Sequence, residues 1–211
     1  MDFMVAIRNN TNALHLASEK TGFINRLVEG KASKEGYIEY IFNLYDMYKA
    51  IEDSLDEHLN HEGIKIFATK ELYRSELIKK DLDILAGDKL SEMKLLPSTE
   101  ACVARIHEVN EKHPELLATY AYVRFIADLF GGRMFPEILT KSYDIPTDAL
   151  NYYFLPDIGD IRAYVMEYHK KFEKLNLSEH MQNLFAIEIS NVYIYNMAIS
   201  NELDAKLYLT K

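Results

Sequence analysis

The stretch ELLATYAYVRFIADLFGGRMF, Glu115–Phe135, decides how this chain is read. Its apolar residues recur at helical spacing and predict a helix from Glu115 to about Arg133, with Pro114 at the first turn, where proline fits. Two features conflict with an ordinary core helix. Gly131 and Gly132 each cost about 1 kcal/mol relative to alanine inside a helix. Asp128 stands among Phe125, Ile126, Leu129 and Phe130, where an unpaired carboxylate is expensive. One reading ends the helix at Gly131 and pairs Asp128 with Arg124, one turn earlier. The other notes that apolar residues resume at Met134 and Phe135. In that reading the glycines clear away side chains, so that the backbone bends and lies flat on a planar ligand. Asp128 then turns a polar group to the ligand's rim through water.

Outward from this segment the pattern stays helical. A first helix spans about Phe3 to Lys20, and after Gly22 a short one runs to Gly30. Ser33 with Gly36 opens a long segment, Tyr37 to about His61. Its apolar stripe is Ile38, Ile41, Leu44, Tyr45, Tyr48, Ile51 and Leu55. Further helices are predicted over Glu71–Leu85, Ala101–Lys112, Asp160–Leu175 and Ser178–Asp204, with Ser178 as an N-cap. Pro136, Pro146 and Pro156 mark a looser, tyrosine-rich stretch. Alternating patterns with hairpin turns are missing, so the expectation is an all-α protein with one domain over residues 1–211.

The totals limit what such a bundle does. Of 211 residues, 48% are apolar, enough for a sizeable core. A net charge of −9 repels phosphate backbones, so nucleic acid is not an expected partner. A single cysteine, Cys102, excludes an internal disulfide framework and cysteine-based zinc sites. MDFMVAIRNN lacks the apolar core and cleavage site of a secretory leader, and no run approaches the ~18 apolar residues of a membrane span. The expected location is the cytoplasm, with no membrane contact.

His15 lies in TNALHLASEK, with Glu19 four residues on and on the same helical face. A lone helical histidine is usually a surface or packing residue. A carboxylate at this spacing can also hold one imidazole nitrogen and fix the tautomer of a metal-bound ring.

Taken together and in this order, these segments resemble the heme oxygenase family. His15 and Glu19 stand where that family has its proximal haem ligand and a nearby glutamate. NLYDMY with Ile51-Glu52, KELYRSELIKKDLDIL and AYVRFIADLFGG resemble its second long helix, its charged leucine-patterned helix and its distal-helix signature. The closing helix, with Tyr193 and Asn196, is similar in style. The resemblance implies a helical bundle with haem between a proximal helix and a kinked distal helix. His15 would bind the iron and Gly131 and Gly132 would press on the opposite face. Asp128, supported by Tyr48 and Arg124, would anchor the water chain that supplies protons to dioxygen activated at the iron. Implied products are biliverdin, carbon monoxide and ferrous iron. Implied electrons come from a ferredoxin, a flavodoxin or an NADPH-dependent reductase. The chain is expected to act as a monomer or weak homodimer.

Some positions depart from the family pattern. Ala127 replaces a glycine before the aspartate, and Phe130 replaces a small polar residue. Asn12 stands where a lysine is common. Val165 and His169 fall where better-known members have a lysine and an arginine. Arg8, Tyr122 and His169 are the remaining candidates for contacts to the haem and its propionates. Rival readings are a non-catalytic haem carrier or sensor, a di-iron oxidase, a thiaminase-like hydrolase and a helical interaction module. No histidine has glutamate three residues before it, which removes the usual di-iron pattern. No motif surrounds Cys102 to make it a nucleophile. A carrier has no need for a proton relay at Asp128, and an interaction module leaves a carboxylate beside two glycines unexplained.

Overall fold

The computed structural model describes residues 3–175 and 177–209; residues 1, 2, 176, 210 and 211 of the expected unit lie outside it. Among the described residues there is no strand. The helices are α1 (Phe3–Glu19), α2 (Gly22–Val28), α3 (Lys34–Glu57), α4 (Ser75–Leu85), α5 (Pro97–Lys112), α6 (Leu117–Ala121), α7 (Ala127–Phe130), α8 (Phe135–Tyr143), α9 (Ile161–Glu173) and α10 (Glu179–Asp204). Serine or aspartate starts three of them. Ser33 accepts from the Gly36 amide at 3.0 Å, Asp160 from Ala163 at 2.7 Å and Ser178 from Met181 at 3.2 Å.

The long helix α3 is the spine, packed against α4 and α5. Its expected stripe is the buried one: Ile41, Leu44, Tyr48, Ile51 and Leu55 are in the core, with Ile38 and Tyr45 packed against it. Two polar residues on α3 also cap its neighbours. Asn43 Oδ1 accepts from the Leu96 amide (2.9 Å) and from Thr99 Oγ1 (2.7 Å) at the start of α5. Glu52 accepts from the amides of Arg74 (2.6 Å) and Ser75 (3.1 Å) at the start of α4. Each supplies an acceptor to helix-terminal N–H groups that would otherwise be buried without one.

Glu52 explains one difference from the sequence reading. α4 begins at Ser75, not Glu71, because Glu52 captures the N–H groups there, and Lys70–Leu72 forms a separate 3-10 turn. Likewise α3 ends at Glu57 rather than near His61. The chain turns at His58–His61 to carry Ile64 and Phe67 into the core.

The segment after Pro114 differs most. It does not end at Arg133: α6 passes into a π-turn over Tyr122–Ile126, then α7, a 3-10 turn over Gly131–Met134, and α8 to Tyr143. The expected loose stretch therefore starts after Asp144, whose left-handed φ of 50° closes α8. Pro136 lies in the first turn of α8, where a missing N–H costs nothing. α1 and α2 both pack on α10, so α1 faces the α7 segment across an opening.

The α1–α2 turn sets that placement. Gly22 has φ of 58°, and a Cβ there would come within 2.6 Å of the Ser200 backbone on α10. Gly22→Ala should therefore cost about 2–4 kcal/mol, from left-handed strain and overpacking together, and lower the midpoint of urea unfolding. An unchanged midpoint would contradict this account of the turn.

Candidate functional site

α1, α3, the α7 segment, α9 and α10 enclose a cleft of about 430 Å³. His15, Ser18 and Glu19 form the α1 wall. Ala127, Asp128, Phe130, Gly131 and Gly132 form the opposite one. Val165 and His169 of α9 and Tyr193 and Asn196 of α10 close the sides.

The π-turn makes the α7 wall possible. A widened turn inserts one residue into the helical register and rotates everything after it. Before it, every residue from Leu117 to Ala121 is buried. After it, Ala127, Phe130 and Gly131 are exposed to the cleft while Leu129 remains in the core. Nothing in the sequence pattern marks this turn, because its residues, YVRFI, are all ordinary helix residues.

The glycines are not explained by the protein's own needs. Gly131 has φ of −68°, which any residue adopts, and a Cβ there would meet no protein atom within 4 Å. A Cβ on Gly132 would touch the Tyr153 ring at 3.5 Å, an ordinary contact. Neither backbone strain nor crowding calls for glycine at 131. What its missing side chain does is leave the wall flat and open. That is the cradle a planar macrocycle requires, and haem fits it.

Asp128 forms the polar part of this wall. The hydroxyls of Tyr48 and Tyr152 both donate to its Oδ2, the latter at 2.8 Å. Arg124 Nη2 lies 3.5 Å and Arg74 Nε 3.8 Å from the same oxygen. All four of these contacts fall on Oδ2, and Asp128 lines the cleft. Arg124 also ties the group together. Its Nη2 is 3.4 Å from each of the Tyr48 and Tyr152 hydroxyls, and its Nη1 is 3.4 Å from Asn196 Oδ1. Burial pushes the Asp128 carboxyl up to about 7, while the hydrogen bond from Tyr152 opposes that rise. The two readings of Asp128 taken from the sequence are thus not exclusive: it pairs with Arg124 and also lines the cleft.

On the other wall, His15 is half-exposed and stands edge-on to the Tyr193 ring at 6.0 Å. Glu19 Oε1 is 3.5 Å from His15 Nε2. The ring and carboxylate are neighbours as the spacing requires. Tyr122 is buried beside His169 (5.8 Å between ring centroids) and Phe172 (5.4 Å). Arg8 is exposed and does not line the cleft, although its charge acts on the Tyr122 hydroxyl, so it stands near that edge. Thus ten of the twelve expected residues line one opening: His15, Glu19, Tyr122, Arg124, Asp128, Gly131, Gly132, His169, Tyr193 and Asn196. Tyr48 supports Asp128 from behind.

Sequence reasoning missed Tyr152 and Arg74. Tyr152 belongs to a stretch read only as a tyrosine-rich connection and Arg74 to one read only as a charged, leucine-patterned helix, and neither has a local motif of its own. Phe130, half-exposed in the cleft, makes the wall apolar where the family pattern has a polar residue.

A family model described as heme oxygenase matches residues 1–202. The chain is 30% identical to the heme oxygenase of Porphyra purpurea, over 95% of this chain and 86% of that one. It is 26% identical to heme oxygenase 1 of Rattus norvegicus, over 98% of this chain and 73% of that one. Among solved structures, the heme oxygenase of Leptospira interrogans superimposes with a TM-score of 0.89 at 27% identity, covering 96% of this chain and all of the other (100%). Heme oxygenase-1 from the cyanobacterium Synechocystis, solved in complex with heme, gives 0.91 at 25% identity, over 98% of this chain and 94% of that one.

Two measurements test the site on the ligand-free chain. Gly131→Ala should leave unfolding stability unchanged or raise it by up to about 1 kcal/mol, since only helix propensity changes; a loss of stability would mean the glycine serves the fold. The raised Asp128 pKa also has a sign. Its stabilising effect is complete below the ordinary carboxylate pKa and is lost as pH rises through about 7. Thermal melts of Asp128→Asn should therefore gain on those of the parent between about pH 4 and 7 and level off above.

Proposed function

The chain belongs to the heme oxygenase family, and from that premise we propose that it cleaves haem to biliverdin, carbon monoxide and ferrous iron within the cleft between α1 and α7. Bound haem supplies the iron that activates dioxygen and the meso carbon that is oxidised. The chain's residues do the rest. His15, on α1, would hold the iron through an imidazole nitrogen, and Glu19 beside it would steady the ring. Gly131 and Gly132 would present bare backbone to the opposite face of the haem, so that this wall stays flat. Asp128 holds or passes a proton at Oδ1. Tyr48, Tyr152 and Arg124 fix its other oxygen, so that the carboxyl keeps one orientation. A carboxyl with a pKa of about 7 gives and takes protons at neutral pH with little driving force either way. The α7 wall carries no imidazole, and so lacks the base that promotes O–O cleavage in peroxidases.

Tyr122 and His169 on the α9 side, with Arg8 near that edge, would hold the propionates. Tyr193 and Asn196 complete the wall on α10. Electrons come from a separate donor of the ferredoxin, flavodoxin or NADPH-dependent reductase type. Residues 1–211 act as one domain in the cytoplasm, as a monomer or weak homodimer. The buried thiol of Cys102 is in keeping with a reducing compartment. The observation that carries this reading is the pairing, across one cleft, of His15 with a glycine wall that the protein's own packing does not require.

Hemin titration should give a one-to-one complex with a histidine-type spectrum, and a reductant in air should convert it to bilin. A stable complex that never forms bilin would instead identify a carrier or sensor. His15→Ala should lose the histidine-type spectrum. Asp128→Asn should still bind hemin but open the ring about 100-fold more slowly, the size of effect a positioned proton donor provides. A normal bilin yield from that variant would remove Asp128 from the mechanism.

A further inference from the structure

Asp81 is a carboxylate on α4 that is fully buried yet does not line the cleft. Buried carboxylates are costly unless donors surround them. Asp81 has three. Its Oδ1 accepts from the Asn151 amide (2.9 Å) and the Asn151 side-chain nitrogen (2.7 Å), and its Oδ2 from the Tyr152 amide (2.9 Å). Every one of these donors belongs to the 3-10 turn Asn151–Tyr153. A second buried charge grips the same turn from its other end. Arg74 Nη1 donates to the Tyr152 carbonyl at 2.5 Å, and Glu52 in turn holds the Arg74 amide. The Tyr152 backbone is thus clamped at both its N–H and its C=O by charged groups, an investment out of proportion to a surface connection. At the end of that clamp stands the Tyr152 hydroxyl, donating to Asp128 Oδ2 at 2.8 Å.

We propose that Tyr152 is a positioning residue for Asp128 in the haem-cleaving reaction, and that Asp81 and Arg74 hold the Asn151–Tyr153 turn at the register that places its phenol there. This rests on the haem-cleaving function assigned above. The physical consequence concerns which form of Asp128 is favoured. A phenol that donates to a carboxylate stabilises the ionised form and opposes burial, which favours the neutral one. Among the described residues, six groups face this carboxyl: Arg124 from the preceding π-turn, Tyr40 and Tyr48 from α3, Arg74 from the start of α4, and Tyr152 and Tyr153 from the turn. Arg124 is also tied to Tyr48 of α3 and Asn196 of α10, Arg74 is anchored at its amide by Glu52 of α3, and Tyr48 stands on α3 itself. Tyr152 is the donor whose position depends on a connection between helices, and the clamp removes that freedom.

Tyr152→Phe tests this with little risk to the fold. It keeps the ring that packs against Tyr48 (5.9 Å) and Tyr153 (4.6 Å) and removes only the hydroxyl, which donates to Asp128 and accepts from Arg124 at 3.4 Å. The first readout uses the full-length, ligand-free chain carrying 13C-labelled aspartate. The Asp128 carboxyl signal, identified by its absence in Asp128→Asn, is titrated with pH. Its midpoint should rise by about half a pH unit or more in Tyr152→Phe, a roughly threefold change in ionisation constant. Asp81→Asn should move it in the same direction, because one amide oxygen cannot replace the two that accept from Asn151 and Tyr152, and the turn loosens. The second readout is the pH profile of bilin formation by the hemin complex, whose alkaline limb should shift upward with the carboxyl midpoint. An Asp128 midpoint that stays put or falls in Tyr152→Phe overturns the proposal, whatever the turnover rate. If the parent chain binds hemin but forms no bilin, the enzyme reading fails, and the carboxyl titration separately decides whether Tyr152 tunes Asp128.

Discussion

A carboxylate beside an apolar cleft has to be answered by donors, and the architecture around Asp128 meets that demand. Its Oδ2 takes hydroxyls from Tyr48 and Tyr152 and lies near the guanidinium groups of Arg124 and Arg74. These partners come from α3, from the turn at 151–153, from the π-turn and from the start of α4. The four segments must be held in fixed register for one oxygen to be satisfied. That requirement rigidifies the wall that carries Gly131 and Gly132, since Asp128 stands on α7 and they open the 3-10 turn that follows it directly. Charge, scaffold and cradle are therefore a single mechanical unit.

α3 is where this unit is anchored. Its apolar stripe supplies core, and its polar residues reach three neighbours: Asn43 caps α5, Glu52 caps α4, and Tyr48 reaches Asp128. Each of these buries a polar group that would be costly alone. Because each is paired across elements rather than within one, the helices cannot slide past one another without breaking a buried hydrogen bond. Precision at the cleft follows from that coupling more than from hydrophobic packing, which tolerates small displacements.

The open side of the cleft is built differently. His15 and Glu19 lie on α1, whose placement depends on the close approach of Gly22 to the α10 backbone. The contrast between a clamped α7 wall and a lighter α1 wall suits a site that must admit a large planar group. The wall that carries Asp128 is preorganised, whereas the wall that carries His15 is attached through fewer buried polar contacts.

What the sequence determined by itself was the periodic part and the local exceptions to it. The helical repeat identified an all-α chain. Ser33, Asp160 and Ser178 stood at helix starts, and Gly131-Gly132 with Asp128 stood out because they contradict the pattern around them. These signals are legible because capping, propensity and periodicity act within a few residues. Pro136 shows the limit: a proline read as a break proved to lie in a first helical turn, because the helix restarts just before it. Only the tertiary structure decided that YVRFI widens into a π-turn, that Arg74 and Tyr152 reach Asp128, and that Glu52 and Asp81 hold them there. Tyr48 lies 80 residues from Asp128 along the chain, and Asp81 lies 71 from Tyr152. Which donor answers a buried charge depends on which helices meet, and no local pattern in the sequence carries that information.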